Sequence, residues 1–163
     1  MKIRFNQSKK RNLQHGQGMV EFALAFPILL VLILGVFEIG RMVYIYNAVL
    51  TASREAARYG SAGDSDAVKP RYQDCAGIRE TAKRMGGLAN LQDDDILIHY
   101  DSGPGTATIA SSCPPGVEIN GGVDRVVVTV SSNFQPLVGL TGLSPVPIQS
   151  TVARTIILKI KVP

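Results

Sequence analysis

"HGQGMVEFALAFPILLVLILGVFEIGRM", residues 15–42, places a glutamate, Glu21, at the entrance of an uncharged apolar run and a proline, Pro27, six residues further on. Every residue between Glu21 and Glu38 is uncharged, so Phe22–Phe37 supplies about 24 Å of helix at a rise of ~1.5 Å per residue. Continued from Met19 to Tyr46, the span reaches about 42 Å, enough to cross hydrocarbon and interface. Glu38 and Arg41 stand three apart and can meet on one helical face as an interfacial ion pair. Tyr44 and Tyr46 suit the aromatic belt of a bilayer.

The flanks give the span a direction. Lys2, Arg4, Lys9, Lys10 and Arg11 all precede Gly16 and no acid does, and positive residues favour the cytoplasmic side. They also account for the formal net charge of +4, since the remainder holds 12 basic against 13 acidic residues. No basic stripe with interleaved aromatics remains to track a phosphate backbone, which argues against nucleic-acid binding. A secretory signal peptide shares the charged start and apolar core. Against it, the apolar run exceeds the usual length, and "FEIGRMVYIYNAVLTASREAARYG" (37–60) continues as helix-forming sequence instead of a small-residue cleavage site. Val49, Ala52, Ala56 and Tyr59 recur there at helical spacing, and the helix is expected to stop near Gly60, where Gly, Ser and Asp take over.

Gly16, then "QGMV", then Glu21 heading an apolar helix resembles the processing site of type IV prepilins. In those proteins a membrane aspartyl peptidase cuts after the glycine on the cytoplasmic side and leaves glutamate at the fifth mature position. The longer stretch from Gly16 to Gly60 resembles the N-terminal region of TadE-like proteins, minor pseudopilins of tight-adherence (Tad, or Flp) pilus systems. "VEFAL", the proline of "FP", "FEIGR" and "ASREAARYG" carry the resemblance, which covers about the first third of the chain. It implies a basic leader over 1–16, a transmembrane and extended helix over 17–60 and an exported domain over 61–163. It also implies cleavage between Gly16 and Gln17 by a prepilin peptidase, with other pilus subunits and the assembly platform as partners.

A carboxylate entering hydrocarbon costs about 3 kcal/mol unless it is neutralised. The resemblance supplies a partner for Glu21: the α-amine of Gln17 freed by cleavage, its own or a neighbour's. Alternatively, Glu21 simply sits at a helix N-terminus, stabilised by the macrodipole. Pro27 removes the amide that would bond the carbonyl of Ala23, so the helix is expected to bend or loosen there. Unwinding during assembly and an ordinary membrane-helix kink are both open readings.

Beyond Gly60 the chain changes character. Residues 61–71 are loop-like, and "CAGIRETAKRMGGLANL" (75–91) offers a short amphipathic helix with Ile78, Ala82 and Met85 on one side. "DILIHYD" (95–101) and "TATIA" (106–110) are expected strands, and "GVEINGGVDRVVVTVSSNF" (116–134) reads as a hairpin turning at Asn120-Gly121, with Val126, Val128 and Val130 facing one way. "QPLVGLTGLSPVPIQ" (135–149) reads as a Pro/Gly-rich crossing segment, and "TVARTIILKIKV" (151–162) as a last strand with Ile156, Leu158, Ile160 and Val162 on one side. The expected architecture is α+β: a long N-terminal transmembrane helix extending into a small antiparallel sheet domain, pilin-like. Cys75 and Cys113, the only cysteines, both fall on the exported side, where a disulfide forms and persists; two unrelated buried thiols are the alternative.

The exported part offers little chemistry. His15 lies in the leader and His99 in a strand, so no His pair exists for metal or acid–base work, and Ser111 and Ser112 have no nearby base. Asp93–Asp95 and Asp64 with Asp66 are carboxylate runs of the type that holds calcium, but neither follows the twelve-residue loop with its glycine and distal glutamate. The sequence therefore reads as a non-enzymatic assembly component without cofactor or metal. It is expected to be a minor pilin at the tip or start of a Tad pilus, used in adherence. The competing reading is a signal-anchored exported protein that binds an envelope partner or ligand through its β domain.

Overall fold

The computed structural model describes residues 14–63, 69–136 and 144–158. Helix α1 (Gln14–Ser61) is followed by a 3-10 turn (Arg71–Gln73), helix α2 (Cys75–Gly86), two further 3-10 turns (Gly87–Ala89 and Asp93–Asp95), and strands β1 (Ile96–Asp101), β2 (Thr108–Ala110), β3 (Arg125–Phe134) and β4 (Val146–Thr155). The chain divides into two compact units at Ile39/Gly40.

The first unit contains α1 up to Ile39. Apart from the half-buried Leu34, its large apolar side chains from Met19 to Ile39 are exposed, among them Phe22, Leu24, Leu32, Ile33, Val36 and Phe37. Among the described residues, α1 is the one helix long and apolar enough to cross a membrane. The helix runs through Pro27 without interruption.

The second unit is an α+β domain built on an antiparallel sheet of order β2-β1-β3-β4. On α1, Ile45, Val49, Ala52 and Ala56 form one buried stripe at helical spacing, the last three with no exposed surface. They pack in one core with Ile96, Ile98 and Tyr100 of β1 and Val126, Val128 and Val130 of β3. Register explains the match: Ile96 pairs with Val130, Ile98 with Val128 and Tyr100 with Val126, so all six side chains share one face. Ser53, also fully buried, donates to the Leu50 carbonyl, so its hydroxyl accepts from Ser150 of β4 at 2.8 Å and ties helix to sheet.

Three expectations are corrected by the structure. Residues 117–120 form no strand, and β3 begins only at Arg125. The cause is Asp124, 2% exposed, whose carboxylate takes the Asn120 amide at 2.6 Å and the Ser102 hydroxyl at 2.7 Å. A buried carboxyl requires hydrogen-bond partners, so the chain wraps around it in place of a hairpin ladder.

The last strand starts earlier than its alternation suggested, inside the expected crossing segment, and pairs with β3 from Phe134↔Val146 to Arg125↔Thr155. Pro147 is tolerated because β4 is the edge of the sheet. Ile156 lies past the strand yet is buried, its amide bonded to the Asp124 carbonyl, while Leu158 is 38% exposed; Ile160 and Val162 lie outside the described residues.

On α2 the buried stripe runs Ile78, Ala82, Gly86, leaving Met85 exposed. Leu91 covers Gly86 so closely that an added Cβ would meet its Cδ1 at 2.6 Å, and this contact turns the stripe away from Met85.

Candidate functional site

The candidate site is the start of α1. Gln17 and Glu21 are one turn apart, and the Gln17 side-chain amide donates to Glu21 Oε1 at 3.1 Å. This contact satisfies one carboxylate oxygen on a surface that is otherwise apolar: Met19, Val20 and Phe22 beside it are at least 60% exposed. Phe22 and Phe26 form a ring pair on the next turn, centroids 5.5 Å apart. Gly16 precedes them in open space, where a Cβ would meet nothing within 4 Å, and the same holds for Gly18. Gly16, Gln17 and Glu21 thus lie on one continuous helical segment, and Pro27 follows on the same helix.

Arg41 has a role that spacing did not reveal. Its guanidinium donates to the Gln135 carbonyl and lies over the Phe134 ring, 4.5 Å from the centroid, at the end of β3. Nothing local in sequence marks this contact, because its partners stand more than ninety residues away, as the separation of 94 for Gln135 records.

In the second unit, Cys75 and Cys113 form a disulfide with Cα atoms 5.7 Å apart. It joins the first residue of α2 to the loop after β2. Asp74 caps that helix, accepting from the Gly77 amide at 3.0 Å and the Tyr59 hydroxyl at 2.7 Å. The Tyr59 hydrogen bond, then the Gly77 amide, hold its carboxyl below the ordinary aspartate range. Tyr100, fully buried, donates to the Tyr72 carbonyl, and burial followed by the neighbouring Tyr72 pushes its phenol well above the usual value.

The other residues singled out from sequence are dispersed. Asp93 pairs with Lys83 at 2.7 Å, which lowers its pKa chiefly through that hydrogen bond, and Asp95 accepts from the Gln92 amide in a capping box. The acidic run therefore serves local caps and an ion pair. Among the described residues no group of three or more His, Cys, Asp or Glu is arranged to hold a metal; Asp64 and Asp66 lie outside the described residues. His99 sits half-buried on β1, across the strand pair from Val127. Arg125 and Asp101 form a fork that no local pattern marks, with Nε–Oδ1 2.6 Å and Nη2–Oδ2 2.8 Å. Opposite charges were visible at both positions, but only the antiparallel register makes them neighbours.

A family model described as "TadE-like protein" matches residues 16–58, the candidate segment and the helix that continues from it. Neither a curated protein nor a solved structure matches the chain.

Proposed function

We propose that this chain, TadE-like over residues 16–58, is a minor pilin of a Tad/Flp type IV pilus system. In this reading it is inserted with the N-terminus cytoplasmic and the second unit exported, and it is incorporated into the pilus or initiates its assembly in adherence. A prepilin peptidase removes residues 1–16, and other pilus subunits and the assembly platform are its partners. Its role is structural and not catalytic. The observation that carries the reading is a carboxylate four residues after Gln17 on an exposed apolar helix, within the segment that the TadE-like family model matches.

The cost of Glu21 in lipid gives this arrangement its purpose. Cleavage after Gly16 creates a positive α-amine at Gln17, and pairing with that amine offsets the cost of holding the carboxylate in a low-dielectric bundle. Mass spectrometry of the mature N-terminus, from membranes and from sheared filaments, tests the reading. A start at Gln17 is expected, and Gly16→Ala or a bulkier residue should retain the leader, because a peptidase that needs close backbone approach meets the added side chain. Open space around Gly16 leaves the fold itself unaffected by the change. Mature protein that keeps residues 1–16 in wild type would favour a signal-anchored exported protein instead.

A further inference from the structure

A cavity of ≈190 Å³ lies among the C-terminal part of α1, the turn at Arg71–Gln73 and α2. Its lining draws arginines from each of these elements, Arg58, Arg71 and Arg84, with Glu55 as the carboxylate among them. Two of these arginines already make contacts of their own, Arg58 from an exposed position on α1 and Arg71 against a ring. Arg58 Nη2 is 2.7 Å from Glu55 Oε2, and the Arg71 guanidinium lies 5.1 Å from the centroid of the Tyr59 ring. Tyr59 is anchored in turn by its hydrogen bond to Asp74. Arg84 comes from the last turn of α2 and lines the same cavity.

We infer that this cavity binds a phosphate-type oxyanion, free or as the head of a larger molecule, between Arg58, Arg71 and Arg84. Like charges gathered from separate elements repel one another, and an anion among them converts that repulsion into attraction. The planar guanidinium fork matches phosphate oxygens two at a time, and a ring-stacked arginine loses little further freedom on binding. The volume is below that of sites enclosing drug-sized ligands, so the cavity takes a single small group. Glu55 narrows the choice further. Its carboxylate accepts a hydrogen bond from an oxyanion that still carries a proton, as hydrogen phosphate does, and repels one that carries none, as sulfate does at neutral pH.

The test uses the full chain in phosphatidylcholine nanodiscs, titrated calorimetrically with inorganic phosphate at neutral pH and constant ionic strength. Saturable binding is expected. Arg84→Gln and Arg71→Gln should each weaken it about tenfold, Arg84→Lys should fall between, and Arg154→Gln on β4 should change nothing. Sulfate should bind more weakly than phosphate, with Glu55→Gln narrowing the gap. Unchanged circular dichroism and an intact disulfide separate loss of ligand from loss of fold. A second arm measures capture of the nanodiscs by vesicles with and without phosphatidic acid. Capture that needs both phosphatidic acid and Arg84, without saturable uptake of free phosphate, assigns the group to a lipid headgroup and supports the site. Equal phosphate affinity in wild type and Arg84→Gln would overturn the inference. So would non-saturating phosphate uptake combined with vesicle capture indifferent to Arg84→Gln. Sulfate binding as tight as phosphate would overturn the selective role of Glu55.

Discussion

Glu21 is the one charged residue between Met19 and Phe37, and the change that removes it separates insertion from assembly. Glu21→Leu deletes a group costing about 3 kcal/mol in lipid, so membrane level should hold or rise. Under the proposed pairing, filament incorporation should fall, because a Gln17 amine freed by cleavage would lose its charge partner, and Glu21→Gln should be intermediate. Normal pilus yield for both variants, with leader cleavage confirmed, would refute the pairing. Acid stability rests in part on a second carboxylate, Asp101. Arg125 holds the Asp101 carboxyl below the usual range, chiefly through their hydrogen bonds. A group whose folded pKa is depressed contributes stability above its unfolded pKa and loses it as pH falls through the folded value. Asp101→Asn should therefore lower the melting temperature at neutral pH and flatten its decline below the ordinary aspartate pKa; an unchanged acid limb would show that the pair contributes nothing there. Glu21 was legible because a charge in an apolar run is conspicuous in one dimension. Asp101 and Asp124 were not, since their partners are set by register and by a wrapped turn.

At the scale of elements, α1 beyond Gly40 was readable from the spacing of Val49, Ala52 and Ala56, and those residues do form its buried stripe. Alanine at 52 and 56 keeps the helix close to the sheet, and the Ser53–Ser150 hydrogen bond depends on that approach. Ala52→Leu should overpack this contact and cost about 1–3 kcal/mol, measured as a lower denaturant midpoint with the slope unchanged. No loss would mean that the helix and sheet have room that their burial denies. Strand boundaries were less legible. β1 was read to within one residue, because its apolar alternation ends in charged residues on both sides. β4 was placed several residues late, because Pro147 reads locally as a breaker. Its place at the sheet edge, which only the topology decides, removes that objection.

At the scale of the molecule, one covalent link joins α2 to the loop after β2 across a sequence separation of 38. Closing a loop of that length contributes about 4 kcal/mol in the chain-entropy model, so the Cys75→Ser, Cys113→Ser double variant should unfold at markedly lower denaturant, and unreduced wild type should resist alkylation at both positions. Full alkylation without reductant would refute the link. The apolar helix, its basic flank, the position of Glu21 and the α+β class can be read along the chain, because each rests on one-dimensional quantities: hydropathy, charge order and the period of side chains along an element. So can the placing of the two cysteines on one side of the apolar span. Packing in three dimensions settles which charges meet, where β3 and β4 begin, and that Arg41 serves the end of β3. Those outcomes depend on groups distant in sequence satisfying one another when buried, and a buried donor or carboxylate is placed by whichever partner the packed chain brings within reach.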